Sequence, residues 1–260
     1  MKDKLKEKLE YHYIAFDKSK IEPDPLQFLH RYSNPADIEL IGFLSSVFAY
    51  GNVKQIITTI EKITALLTPA PVAFLINSNR HTIKKTFEGI CHRFYSEEDV
   101  ITLFIVLKSI YKEYGMIKNL FLRFYDGKEN NIKSAISGFS KAFLSIAEKE
   151  KRNITHGVVF MCPDPEKGSA CKRMNLFLRW MVRKDELDFG LWHEIPASEL
   201  IIPVDTHIAR ICRQLKLTGR KNADWKMAEE ITENLRKFDP ADPVKYDFAI
   251  CHIGMRKLDF

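Results

Sequence analysis

The sequence predicts an all-α protein, on three observations. Apolar residues recur at helical spacing in almost every segment; Pro, Gly, Asp-Pro and Asn-Pro breakers separate those segments; no stretch alternates apolar and polar residues as a half-buried strand does. Helices without strands can only bury their apolar stripes against one another, so helix-on-helix packing is the expected architecture.

Met1–Tyr13 is charged throughout and predicts an exposed helix. Asp24-Pro25 and Asn34-Pro35 bracket a short helix, Leu26–Tyr32. In Ala36–Tyr50, Ile38, Leu40, Ile41, Phe43, Leu44, Val47 and Phe48 cover most of the circumference, the mark of a buried helix that stops at Tyr50-Gly51-Asn52. Val53, Ile56, Ile57, Ile60, Ile63 and Leu67 mark an amphipathic helix ended by Pro69 and Pro71. Weaker helical pieces follow at Val72–Asn77 and Ile83–Phe87. Ser96-Glu-Glu-Asp99 is a start signal for Val100–Tyr114, which closes on Gly115. Lys118–Tyr125 and Ile132–Lys149 are further helices, the second with Ile136, Phe139, Phe143 and Ile146 inward. Arg152–Lys167 shows no helical period. Beyond it the sequence predicts helices at Ser169–Arg183, after Asp205, at Trp225–Phe238 and at Val244–Gly254.

A chain of 260 residues can bury a large core in one or two lobes. The expected division is an N-terminal helical extension, 1–35, and a helical region, 36–260, with lobes near 36–150 and 151–260; the last helix can return to the first lobe. The net charge of +6 decides little, but its distribution is uneven. Lys167, Lys172, Arg173, Arg179, Arg183 and Lys184 fall in one stretch without an acid; Arg210, Arg213, Lys216, Arg220, Lys221 and Lys226 fall in another with Asp224 alone. Two basic stretches flanking one aspartate suit a polyanion such as DNA, or else are ordinary solvated helix faces. The five cysteines are odd in number and lack CxxC spacing, which argues against a disulfide framework, a zinc site and an iron–sulfur cluster. A reducing cytoplasm is the expected location, with no membrane span, no metal and no cofactor. His207 and His252 are expected to be structural, since neither has a second ligand at metal spacing.

Two stretches concentrate the chemistry. In Leu200–Leu217, Pro203 stops an apolar approach, and Asp205 stands where a helix N-cap belongs. Ile208, Ile211, Cys212 and Leu215 form the apolar stripe of the helix that follows. In Gly168–Trp180 and just beyond, Ala170, Met174, Phe177, Leu178 and Met181 form the buried stripe, while Lys172, Asn175, Arg179 and Arg183 share one polar face.

Gly168-Ser-Ala-Cys-Lys172-Arg-Met-Asn175 resembles the glycine-hairpin motif of the helix-hairpin-helix (HhH-GPD) DNA glycosylase superfamily. Pro203-Val-Asp205-Thr-His207-Ile-Ala-Arg210 resembles the superfamily's aspartate motif. Tyr246–Gly254 is similar to the last helix of that fold, and FLSSVFAYGNVKQI to the helix whose C-terminal loop inserts into the duplex. Ala170 replaces the second hairpin glycine, and Lys172 and Asp205 lie 33 positions apart. That spacing is closest to the archaeal 8-oxoguanine branch. The chain ends just past the last helix, without the C-terminal four-cysteine loop. The whole chain also looks like a bacterial family of unknown function.

The resemblance implies two helical lobes with a cleft between them, and a base-excision glycosylase with AP-lyase activity acting on double-stranded DNA with a damaged base. Oxidised purine is the implied lesion. Lys172 is the implied Schiff-base nucleophile and Asp205 the electrostatic and acid–base group. Gly168, Ser169, Arg173, Asn175, Arg179, Arg183 and Arg210 are candidate DNA contacts. Tyr50 and Asn52 are either a wedge into the duplex or an ordinary helix-ending turn. Asp247 either bonds the extruded base or is a helix-surface acid. The alternative function is a non-catalytic DNA- or RNA-binding protein of the same fold, with Asp205 a cap only.

Overall fold

The fold is that of a computed structural model describing residues 2–15 and 17–256, with side chains over 4–15 and 17–251. The described residues form helices and connecting turns, with isolated bridges and no strand. The α-helices are α1 Lys2–Ala15, α2 Pro35–Phe48, α3 Val53–Leu67, α4 Pro71–Asn77, α5 Arg80–Thr86, α6 Glu97–Tyr114, α7 Ile117–Leu122, α8 Lys133–Lys149, α9 His156–Met161, α10 Lys172–Val182, α11 Thr206–Gln214, α12 Trp225–Arg236 and α13 Asp247–Arg256. No single helix among the described residues is long and apolar enough to cross a membrane.

The chain divides into two compact units. One comprises Pro23–Asp126 and Ser134–Asp164. At its centre α2 buries Leu40, Ile41, Phe43, Leu44, Val47 and Phe48, each contributing roughly 1.5–3 kcal/mol of transfer free energy. Asn34 caps α2, and Pro35 fills the first position, where a missing N–H costs nothing. The Ser96 and Asp99 side chains start α6 with a full capping box, so the helix begins three residues before its apolar run. The fully buried Glu39 is tolerated because donors surround it: Ile117 N at 2.7 Å, Lys118 N at 3.0 Å and the Tyr111 hydroxyl at 3.0 Å. It thereby anchors the start of α7 on α2.

The other unit comprises Met1–Glu22, Gly127–Lys133 and Pro165–Phe260. Here α11 and α1 both pack on α13, and Trp180, Trp192 and Trp225 are buried in the same unit. The stretch 1–35 is divided between the units. Its first part joins this one because Leu9 is buried, Glu10 pairs with Lys245 at 2.9 Å, and the Tyr13 hydroxyl donates to Asp185 at 3.2 Å.

Three local expectations are corrected. Pro25–Arg31 is a 3-10 helix. Within 152–167 lies α9, capped by Thr155 at 3.1 Å from Val158 N and too short to show a period in the sequence. Helix α10 begins at Lys172, not Ser169, because Gly168 (φ 87°) and Cys171 (φ 47°) turn the chain through left-handed conformations.

Candidate active site

Lys172 and Asp205 meet. Lys172 opens α10, Asp205 caps α11, and Lys172 Nζ lies 3.4 Å from Asp205 Oδ2. The two carboxylate oxygens have separate tasks. Oδ1 accepts from His207 N and Ile208 N, both at 2.9 Å, and so secures the helix start. Oδ2 faces the amine. Asp205 is therefore a cap and part of a charge pair at once, and a carboxylate held by two backbone donors cannot swing away from its partner.

The pair is open to solvent on one side, with side-chain exposures of 29% for Lys172 and 40% for Asp205. Burial alone would raise the Asp205 carboxyl. The Lys172 charge and the N–H groups of Ile208 and His207 outweigh it, and the group sits below its ordinary value. The site thus holds a fixed anion beside an amine, where a substrate can reach both.

The turn before α10 is braced. Trp225 N donates to Gly168 O at 3.1 Å, Cys171 N to the Ser169 hydroxyl at 3.2 Å, and Asn175 Nδ2 to Ala170 O at 3.1 Å. These bonds offset the roughly 1–2 kcal/mol that a left-handed non-glycine residue costs at Cys171. Asn175 is buried, and its Oδ1 has no hydrogen-bond partner among the described residues. Gly168 is exposed and Ser169 half-buried, so of this turn they can meet a ligand.

The polar face of α10 is not a phosphate-facing surface. Arg179 and Arg183 are candidates the structure removes: their side chains are 3% and 4% exposed. Arg179 pairs with Asp247 and with Asp188 at 3.3 Å; Arg183 pairs with Asp188, with Asp185 at 3.0 Å and with Asp242 at 2.9 Å. The physical reason is the acidic loop after the helix, together with Asp242 and Asp247, which folds over that face. Burial pushes the Asp188 carboxyl up to about 6, against the pull of both arginines. Arg173 and Asn175 are buried too, so neither reaches out to a backbone phosphate.

Asp247 is corrected on both readings: it is a buried carboxylate held by Arg179, neither a helix-surface acid nor an open edge for a base. Nothing in the sequence around Asp185, Asp188 and Asp242 marked them as partners, beyond three acids, Asp185, Glu186 and Asp188, following a basic helix. His252 lies outside the described side chains. Of the first basic stretch Lys167 and Lys184 are exposed; on α11 and its sequel Arg210, Arg213, Lys216, Lys221 and Lys226 are exposed, while Arg220 pairs with Asp224 at 3.0 Å.

In the other unit Tyr50 is half-buried and does not project. Its hydroxyl donates to His92 O at 2.7 Å and accepts from Phe94 N at 3.3 Å. The Asn52 side chain accepts from Lys54 N at 2.9 Å and caps α3. Both belong to the turn that ends α2 and starts α3.

A family model described as a protein of unknown function (DUF2400) matches residues 24–256, and the chain belongs to that family. Neither the curated proteins nor the solved structures contain a match to it.

Proposed function

We propose that this chain is a base-excision DNA glycosylase with AP-lyase activity. The observation that supports it is the approach of Lys172 Nζ to Asp205 Oδ2, 3.4 Å apart across 33 positions of sequence. Cleaving a nucleotide's glycosidic bond builds positive charge on the sugar. A carboxylate fixed by two N–H groups is the group to stabilise that charge, without reorganising as it forms. An amine beside it can attack the anomeric carbon once it has lost its proton; the base leaves with the electron pair of the glycosidic bond, and the carboxylate is close enough to relay the amine's proton to that departing base. The sugar–amine adduct opens to an imine, and elimination across the sugar breaks the strand on its 3′ side. Water then releases the lysine.

Both groups must reach one sugar, so the partial exposure of both suits the reading as much as their proximity does. Double-stranded DNA with a damaged base is the proposed substrate, and an oxidised purine the proposed lesion. The exposed cations Arg210, Arg213, Lys216, Lys221 and Lys226 are the groups proposed to neutralise phosphates, in place of Arg179 and Arg183.

The test is incubation with duplexes carrying oxidised purines in the presence of borohydride, which reduces an imine to a stable protein–DNA link. The expected result is a trapped product from the native chain and none from Lys172→Gln. Asp205→Asn is expected to lower base release at least about 100-fold while keeping the helix cap. A trap that survives Lys172→Gln sinks the assignment. Salt-sensitive duplex binding with no base release would leave the binding-only alternative.

A further inference from the structure

Around Tyr50 the loop 92–95, the end of α2 and α9 build an aromatic cluster that the proposed chemistry does not use. Phe94 is its outermost member, 60% exposed. Its ring lies nearly parallel to that of Tyr50, at 6.0 Å and 16°, and edge-on to Phe160, at 5.9 Å and 84°. The Arg93 guanidinium sits over both rings, 5.5 Å from Phe94 and 5.7 Å from Tyr50. We propose that Phe94 and Arg93 form a docking site for one unpaired nucleotide of a nucleic-acid strand, with the base stacked on the Phe94 ring and its phosphate at Arg93.

The loop is held, not loose. His92 and Tyr95 exchange backbone bonds at 2.8 Å and 3.0 Å, the Tyr50 hydroxyl bonds His92 O and Phe94 N, and Thr59 meets His92 Nδ1 at 2.9 Å. Arg93 adopts a left-handed φ of 52°, which turns its side chain across Gly51. A Cβ at Gly51 would stand 2.5 Å from the arginine Cδ and Nη1, and Gly51 is itself at φ 100°. Glycine at this point is what lets the guanidinium lie beside the turn into α3. Among the described residues Arg93 forms no ion pair, and the first turn of α3 carries no acid. Positive charge next to an exposed ring is complementary to a planar group carrying an anion.

The size of the patch argues for the same occupant. A protein partner needs about 800 Å² of surface on each side, and one ring beside one guanidinium is far less. A nucleotide presents just a ring and a phosphate. The base must be unpaired or displaced, because a base within a duplex has both faces covered. The proposal is independent of the Lys172–Asp205 reading, since a non-catalytic nucleic-acid binder would use the site equally.

The experiment measures binding of the full chain to a fluorescent single-stranded oligonucleotide by anisotropy, and to the same oligonucleotide with abasic positions. Phe94→Ala is expected to weaken binding about 10-fold, and Phe94→Trp to preserve it. Phe94→Leu, which keeps apolar bulk without a π face, is expected to behave like the alanine variant. Arg93→Gln is expected to lower the salt dependence by about one phosphate contact. Abasic oligonucleotides are expected to bind native chain and Phe94→Ala alike. Equal affinity of native chain and Phe94→Ala for the intact oligonucleotide, with unchanged melting temperature, overturns the proposal. So does full binding by Phe94→Leu, and so does a native chain that does not bind at all.

Discussion

The two ends of α10 carry the same kind of residue and have opposite fates. At the first turn Lys172 meets Asp205 at 3.4 Å, with solvent on one side. Toward the last turn Arg179 and Arg183 meet Asp185, Asp188, Asp242 and Asp247 with almost none. A helical wheel puts all three cations on one face. The difference lies in what is brought to that face: one cap oxygen at the first end, an acidic loop and the start of α13 at the other. A pair left half in water can exchange a proton or admit a substrate. A pair sealed from water admits no substrate, and its contribution is structural.

If that contrast is right, the largest effect is on stability. Arg179→Ala takes one of its two arginines from Asp188 and a buried cation from Asp247, and is expected to cost about 3–5 kcal/mol. Lys172→Ala, on the same helix, is expected to cost about 1 kcal/mol or less. Urea unfolding of the two variants measures both. Equal losses would break the comparison, because they would mean that burial does not separate the two ends.

Much of this molecule is legible in its sequence, and the legible part is local. Ser96 with Asp99, Asn34 with Pro35 and Asp205 before Thr206 mark helix starts because a cap bonds N–H groups two or three residues away. The apolar circumference of α2 foretells its burial because helical period alone sets where those residues fall. The pairing of Lys172 with Asp205 came through family resemblance, since no local rule reaches across 33 positions. What periodicity cannot say is which partner a polar face will meet. Arg183 draws its partners from residues 185, 188 and 242, and Arg179 from 188 and 247. Nor could spacing tell that Tyr50 would be pinned by its hydroxyl while Phe94 stands exposed.

A second, smaller effect sharpens the comparison through pH. Burial holds the Asp188 carboxyl up, to about 6, above its ordinary 3.8. Between those values the folded chain keeps a proton that the unfolded chain has lost, so this group lowers stability as pH rises from about 4 to about 6. Asp205 has the opposite sign. Its lowered carboxyl contributes stability above about 4, and that contribution is lost as pH falls through the folded value. Urea midpoints at pH 7, 5 and 3.5, compared with those of Asp188→Asn, isolate the first group. The native chain is expected to gain on the order of 1 kcal/mol relative to the variant on going from pH 7 to pH 5. No relative gain would mean that the two arginines keep Asp188 ionised throughout.

The smallest effect concerns the open pair itself. Its 3.4 Å separation and partial exposure put it among ion pairs that water screens, so its Coulombic attraction is modest. A double-mutant cycle of Lys172→Ala and Asp205→Asn is expected to give a stability coupling of about 0.2–1 kcal/mol, shrinking in 1 M salt. Asn at position 205 still accepts from His207 N and Ile208 N, so the cycle reads the charge interaction and not the cap. The same cycle run on base release is expected to be far from additive, because removing either group disables the same step. A coupling of several kcal/mol in stability would place Lys172–Asp205 with the buried pairs at the other end of α10. The contrast that sets this site apart as a place for chemistry would then be gone.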